Sequence, residues 1–264
     1  MPFIFKLKCA LGFAFALSAM TITLSGAKAD DPKDKRSYEM RVYYAAEGKL
    51  DALNARFRDH TTKLFRKHGM TNIGYWTPVP NPDRKLIYIL AYPSREAREV
   101  SWKEFQADPD WVSAKAESEK DGKLVDKVES TFLHTTDFSP AVKSVPSKEP
   151  QLYELRTYTA SAGNLDRLLK RFKDYTMGLF TKHGAVNFGY WILDKDQKSA
   201  DETLVYMLIY KSAEQKAESN KAFGADPDWI AARAATEKEA GGSLTAPNGV
   251  KSVILTPTDY SRSR

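Results

Sequence analysis

One segment of this chain is written twice. Residues 56–76 read RFRDHTTKLFRKHGMTNIGYW, and residues 171–191 read RFKDYTMGLFTKHGAVNFGYW. Each copy has the form of a helix end, a glycine stop and a strand. A chain that repeats such a unit is expected to fold as two copies of one domain, with any function within or between them. The flanks agree. Tyr38 aligns with Tyr153, His68 with His183 and Trp76 with Trp191, each 115 positions apart. After the next turn the offset becomes 118 (Tyr88 to Tyr206), so DKDQKSADE lengthens one hairpin by three residues. Asp108-Pro109-Asp110-Trp111 returns as Asp226-Pro227-Asp228-Trp229.

Within a repeat, hydrophobic periodicity assigns the elements. Tyr38, Met40, Val42 and Tyr44 alternate with Glu39, Arg41 and Tyr43, which is the period of a strand. After Gly48, the residues Leu50, Leu53, Phe57, Thr61, Leu64 and Phe65 recur at helical steps. The spacing predicts one helix from about Lys49 to His68, with cations in its last turns and Gly69 as its stop. Strands are expected over residues 71–79, 85–92 and 127–136. Ser94 caps a helix to about Ala107, and Asp108 followed by Pro109 starts another that fades near Gly122. The order is β-α-β-β-α-β with an extra helix. It predicts an α+β protein: two tandem ferredoxin-like (βαββαβ) domains, 37–138 and 151–260, packed sheet to sheet. Residues 139–150 hold three prolines and read as an extended, poorly packing linker. Residues 30–36 read as a mobile charged leader, and residues 261–264 as a short polar tail.

The chain of 264 residues suits two domains of this size. Its start is a basic stretch, the apolar run CALGFAFALSAMTITL and then Ala27-Lys28-Ala29, the pattern of a signal peptide over residues 1–29. Export to the periplasm or outside the cell is expected, with no membrane attachment after cleavage. Cys9, the single cysteine, lies in that leader. A mature chain without cysteine excludes disulfides, thiol catalysis and cysteine-bound metals. The net charge of +6 includes three leader lysines, and the remaining charges are finely mixed. That mixture points away from nucleic acid as a partner. The motifs HExxH, GxSxG and GxGxxG and the P-loop do not occur, and the residues themselves indicate no metal and no cofactor.

A ferredoxin-like sheet leaves one face open, and two such sheets can cover each other. The aliphatic set Ile87, Ile89 and Ala91 (Val205, Met207, Ile209) is expected to face the helices. The surface between the domains is then lined by Glu39, Arg41, Tyr43, Asn72, Trp76, Tyr88 and Tyr92, with Glu154, Arg156, Tyr158, Asn187, Trp191, Tyr206 and Tyr210 as counterparts. Aromatic walls with a few polar groups suit a small-molecule site. The same residues also suit plain interface packing, with Glu39 and Arg41 paired and the tyrosine hydroxyls satisfied. His68 and His183 have two readings as well: a proton-moving group near such a site, or a cation at a helix end.

The pattern Tyr153-Glu154-Leu155-Arg156, Lys182-His183-Gly184 and Asn187-Phe188-Gly189-Tyr190-Trp191 resembles the NIPSNAP family. The first repeat fits with Met40 and Ile73 substituted. The resemblance spans residues 37–138 and 151–260. It implies a dimeric α+β barrel whose two halves come here from one chain, so a monomer is expected. The wider superfamily includes cofactor-free monooxygenases and haem enzymes, which makes haem the one cofactor suggested by analogy. The family supplies no established catalytic residues. Three functional classes follow: a binder of a small apolar or aromatic molecule; a cofactor-free oxygenase or isomerase using Arg41 or Arg156 and His68 or His183; and a non-catalytic interaction module.

Overall fold

The computed structural model describes residues 1–2 and 34–263. The expected signal peptide therefore lies almost wholly outside the described residues. Residues 34–263 lie in one compact unit. The first repeat supplies β1 (Ser37–Ala45), α1 (Leu50–Arg56), α2 (Thr62–Lys67), β2 (Thr71–Pro78), β3 (Lys85–Tyr92), α3 (Arg95–Ala107), α4 (Pro109–Ser118) and β4 (Val125–Thr135). The second supplies β5 (Leu152–Ala160), α5 (Leu165–Arg171), α6 (Met177–Lys182), β6 (Val186–Leu193), β7 (Thr203–Tyr210), α7 (Ala213–Ala225), α8 (Pro227–Ala240) and β8 (Thr245–Pro257).

The eight strands close into one antiparallel barrel, β1-β3-β2-β8-β5-β7-β6-β4. Within each repeat the orders β4-β1-β3-β2 and β8-β5-β7-β6 are consistent with ferredoxin-like pairing. The repeats do more than face one another. Their edge strands hydrogen-bond, β2 to β8 (Trp76 opposite Pro257) and β4 to β6 (Thr135 opposite Trp191), so no edge is left open at either junction.

The single helix expected over residues 49–68 is interrupted. Phe57–Thr61 forms a π turn between α1 and α2, and Phe172–Thr176 repeats it between α5 and α6. The sequence spacing explains why. Leu53, Phe57, Thr61 and Phe65 recur every four residues, and each step overshoots a 3.6-residue turn by about 40°. The wider π turn absorbs that drift and keeps all four side chains on the sheet. All four are buried. The helix starts match expectation: Ser94 accepts from the Ala97 amide at 3.2 Å and Asp108 from the Asp110 amide at 2.9 Å.

The expected assignment of sheet faces is inverted. Ile87, Ile89 and Ala91, with Val205, Met207 and Ile209, point into the barrel beside Tyr38, Tyr153, Trp76 and Trp191. Tyr88, Tyr92, Leu86 and Leu90 instead pack under the helices with Phe57 and Phe65, and Tyr206 and Tyr210 do so in repeat two. The barrel lumen is narrow and lined largely by apolar groups. Under the helices the Tyr75 and Tyr92 hydroxyls find Asn72 and Glu39, whereas those of Tyr88 and Tyr206 have no partner among the described residues, and Tyr38 and Tyr153 stay in the lumen.

The linker also departs from expectation. It is irregular but packed: Val142 is buried in the barrel core, its carbonyl accepts from Arg36 at 2.7 Å, and the Val145 amide donates to Ser263 at 3.2 Å. Ser263 Oγ in turn donates to the Ile73 carbonyl at 2.8 Å. Asp34, in the leader, accepts from Arg36 and from the Tyr38 hydroxyl. Leader end, linker and tail thus plug the barrel end where the glycines of β2 and β6 lie.

Candidate functional site

The inversion moves the site residues other than Trp76 and Trp191 from the lumen to the space between sheet and helices. On β1, Glu39, Arg41 and Tyr43 stand opposite Leu90, Tyr88 and Leu86, the helix-facing set. Glu39 is fully buried. It accepts from Arg98 at 2.9 and 3.0 Å, Ser130 at 2.6 Å, Tyr92 at 2.9 Å and Trp102 at 3.2 Å, and it pairs with Arg41. Burial alone would raise its pKa. The Arg98 hydrogen bond, the Arg41 charge and the Ser130 hydroxyl outweigh that and lower it to about 2.

Asn72 leaves the expected face because a bulge falls between Asn72 and Gly74. Its amide donates to the Thr62 carbonyl at 2.8 Å and accepts from Tyr75 at 2.9 Å, so it ties β2 to α2. Asn187 repeats this with Met177 at 3.1 Å and with Tyr190. Trp76 and Trp191 do point into the barrel, as the sequence suggested. Their rings pack on Tyr153 at 5.3 Å and Tyr38 at 6.0 Å, as core filling.

The histidines lie at the helix ends. His68 Nε2 meets Asp108 Oδ2 at 2.6 Å, and His183 Nε2 meets Asp226 Oδ2 at 2.7 Å. Lys67 and Lys182 join the same carboxylates at 2.7 and 2.8 Å. Hydrogen bonds from these lysines and histidines hold both aspartates below the usual carboxylate range. Each Asp also caps the next helix, so the His-Gly and Asp-Pro-Asp motifs form one clasp between helices. Neither histidine lines the two aromatic recesses described next.

In repeat one a cleft of about 890 Å³ opens between the sheet and the helices. Its floor is Arg41, Tyr43, Phe57, Thr61 and Phe65. Its walls are Trp102 and Phe105 from α3, Trp111, Val112 and Ala116 from α4, and Glu119 just past α4. The π turn delivers Thr61 and Phe57 to this floor and leaves Arg56 beside them. Arg56 donates to Glu119 at 2.7 Å and lies over Trp111 at 5.2 Å. Arg41 lies over Trp102 at 4.3 Å. Both arginines keep a buried Nε with no hydrogen-bond partner, and the Tyr88 hydroxyl behind them is also unpartnered.

In repeat two the equivalent recess holds about 220 Å³, bounded by Arg156, Tyr158, Arg171, Phe172, Thr176, Phe180, Asn220, Phe223 and Trp229. Sequence reasoning missed Arg56, Arg171, Trp111 and Trp229 as site residues. The signal was present in the repeated Arg-Phe before the π turn and in the repeated Asp-Pro-Asp-Trp. Among the described residues no group of three or more His, Asp or Glu side chains could hold a metal, and no helix is long and apolar enough to cross a membrane.

Comparison with known proteins agrees with this architecture. The chain is similar in fold to a candidate monooxygenase from Fusobacterium nucleatum: 11% identity, 84% of this chain and 92% of that one covered, TM-score 0.56. It is also similar to an anthrone oxidase-like protein, at 8% identity, 87% and 94% coverage and TM-score 0.52. A NIPSNAP domain protein from Burkholderia xenovorans matches at 26% identity over 41% of this chain and 95% of its own, TM-score 0.34. No curated protein matches the sequence. The NIPSNAP family profile matches residues 38–140 and again 153–262. Two matched segments, one on each half of a closed barrel, place the chain in the NIPSNAP family.

Proposed function

We propose that this protein binds a small, flat aromatic molecule in the repeat-one cleft, its ring against Trp102, Phe105 and Trp111 and a hydrogen-bond acceptor toward Arg41 and Arg56. The observation that carries the reading is an aromatic recess of about 890 Å³ with the guanidinium groups of Arg41 and Arg56 at its base. Pockets of this size and lining suit small molecules, and guanidinium groups in the lining favour a ligand that supplies an acceptor. The site is within repeat one, not between the domains. The arginines it meets are already paired, Arg41 with Glu39 and Arg56 with Glu119, so it need not be charged.

The test is a thermal-shift screen of the full mature chain with neutral polycyclic phenols and quinones. Anthrone is a natural member of that panel, given the name of one fold neighbour. At saturating ligand the midpoint should rise by several degrees. Ala116→Trp, which fills the cleft from its exposed wall, should abolish the shift while the free protein melts as before. No shift with any compound, or the same shift in Ala116→Trp, would refute the reading.

Cofactor-free oxygenation is a second reading, favoured by the names of two fold neighbours and using the same cleft. It needs a proton acceptor there. His68 and His183 are committed to Asp108 and Asp226 elsewhere, so binding stands first. Export is proposed on the leader pattern alone, and N-terminal sequencing of the mature protein should begin at Asp30.

A further inference from the structure

The two repeats have diverged at one place in a way that alters charge balance. In repeat one, Trp102 covers Arg41 and donates to Glu39, Arg98 forks onto Glu39, and Glu119 meets Arg56 at 2.7 Å. In repeat two, Asn220 stands where Trp102 does, and Lys216 replaces Arg98, reaching Glu154 only at 3.4 Å. Arg156 lies 3.9 Å from Glu154. Glu237 is drawn toward Arg233 at 3.1 Å and stays 3.6 Å from Arg171.

Arg171 is left the least compensated. It is 5% exposed, and its Nε and Nη1 have no hydrogen-bond partner. Burial, the largest influence, lowers its pKa, and the nearby Glu237 does not offset that. Arg156 Nε, at the same cavity, is also unpartnered. A buried cation without a matched counter-charge is unfavourable, and an anion seated between two guanidinium groups removes the imbalance.

We propose that the repeat-two cavity is a separate binding site for a small carboxylate with an apolar body, held by Arg156, Arg171 and Asn220. The shape and lining select that class. Guanidinium edges match the planar carboxylate fork. Four aromatic side chains, Phe172, Phe180, Phe223 and Trp229, wall the remaining space. A volume of about 220 Å³ is below that of drug-sized pockets. A strongly hydrated inorganic phosphate would lose its water against those rings without replacement. In repeat one Trp102 stands at the position of Asn220, where it lies over Arg41 and walls the larger cleft.

The test uses 19F NMR of 4-fluorobenzoate with the full mature chain. One saturable site is expected, with 4-fluorobenzamide binding at least ten-fold more weakly. Asn220→Trp, which installs the residue found at this place in repeat one, should weaken benzoate binding at least ten-fold. Arg171→Met should do the same. If Arg171→Met does not fold, Asn220→Trp with unchanged circular dichroism decides. Unchanged binding in Asn220→Trp would overturn the proposal. So would loss of binding in Ala116→Trp instead, which would place the carboxylate in the repeat-one cleft. Competition by inorganic phosphate as strong as by benzoate would overturn the ligand class. The neutral-ligand screen of Ala116→Trp reads the repeat-one site independently.

Discussion

At the scale of single residues, this protein buries charge in matched sets and leaves a few donors unmatched. Glu39 shows the matched case. Its carboxylate is fully buried and its pKa is lowered to about 2, chiefly because the arginines outweigh the burial penalty. The folded value lies below the unfolded one, near 4.3, so its contribution is complete above about pH 4.3 and is lost as pH falls toward 2. Urea unfolding at pH 5 and pH 2.5 should show wild type losing about 2 kcal/mol through this group. Glu39→Gln should lose less over the same interval. At pH 7 that variant should already be about 3–5 kcal/mol less stable, because Arg41 and Arg98 are left buried without their partner. Glu39 and Arg41 were legible as a pair from their spacing on one strand. The Arg98 and Trp102 contributions were not, because they arrive from a helix about sixty positions away.

At the scale of elements, two local irregularities set the geometry. The π turns keep a four-residue hydrophobic repeat on one face and present Thr61 and Thr176 to the recesses. The bulges of β2 and β6 rotate Asn72 and Asn187 toward the helices while Trp76 and Trp191 stay inside. Gly74 and Gly189 make room for those rings. A Cβ on Gly74 would lie 2.3 Å from the Trp76 ring, and one on Gly189 would lie 2.5 Å from the Trp191 ring and 2.9 Å from Val142. Gly74→Ala and Gly189→Ala should each cost about 1–3 kcal/mol by chemical denaturation. Gly178→Ala, on α6 with nothing within 4 Å, should be neutral or stabilising by about 0.5–1 kcal/mol. Strand alternation read from sequence cannot place such a bulge, because one extra residue reverses every face assignment beyond it.

At the scale of the whole molecule, closure of the barrel makes the repeats interdependent. Each half alone would expose two edges, β2 and β4 in the first and β6 and β8 in the second, which are templates for further pairing. Residues 34–146 expressed alone should therefore dimerise or aggregate. Mixing them with residues 147–264 should restore a 1:1 complex with one cooperative melt. Light scattering after size exclusion would check this. A stable, monomeric first half would show that the edges are not what joins the repeats. The plug formed by Val142, Val145 and Ser263 adds a second dependence, since linker and tail meet only when both halves are in place.

The sequence by itself determined the repeat, the element order, the helix caps at Ser94 and Asp108, and the family. Each of these is local, or follows from copying a local pattern, and chemistry within a few residues dictates it. The tertiary structure decided which face of each strand is the lumen. Both faces are apolar enough to be buried, and only the fit between a narrow barrel and a helical layer distinguishes them. It also decided where the open space lies. A cleft is what packing leaves unfilled, and Trp102 and Asn220 differ in what they leave because of neighbours that no single stretch of the chain contains.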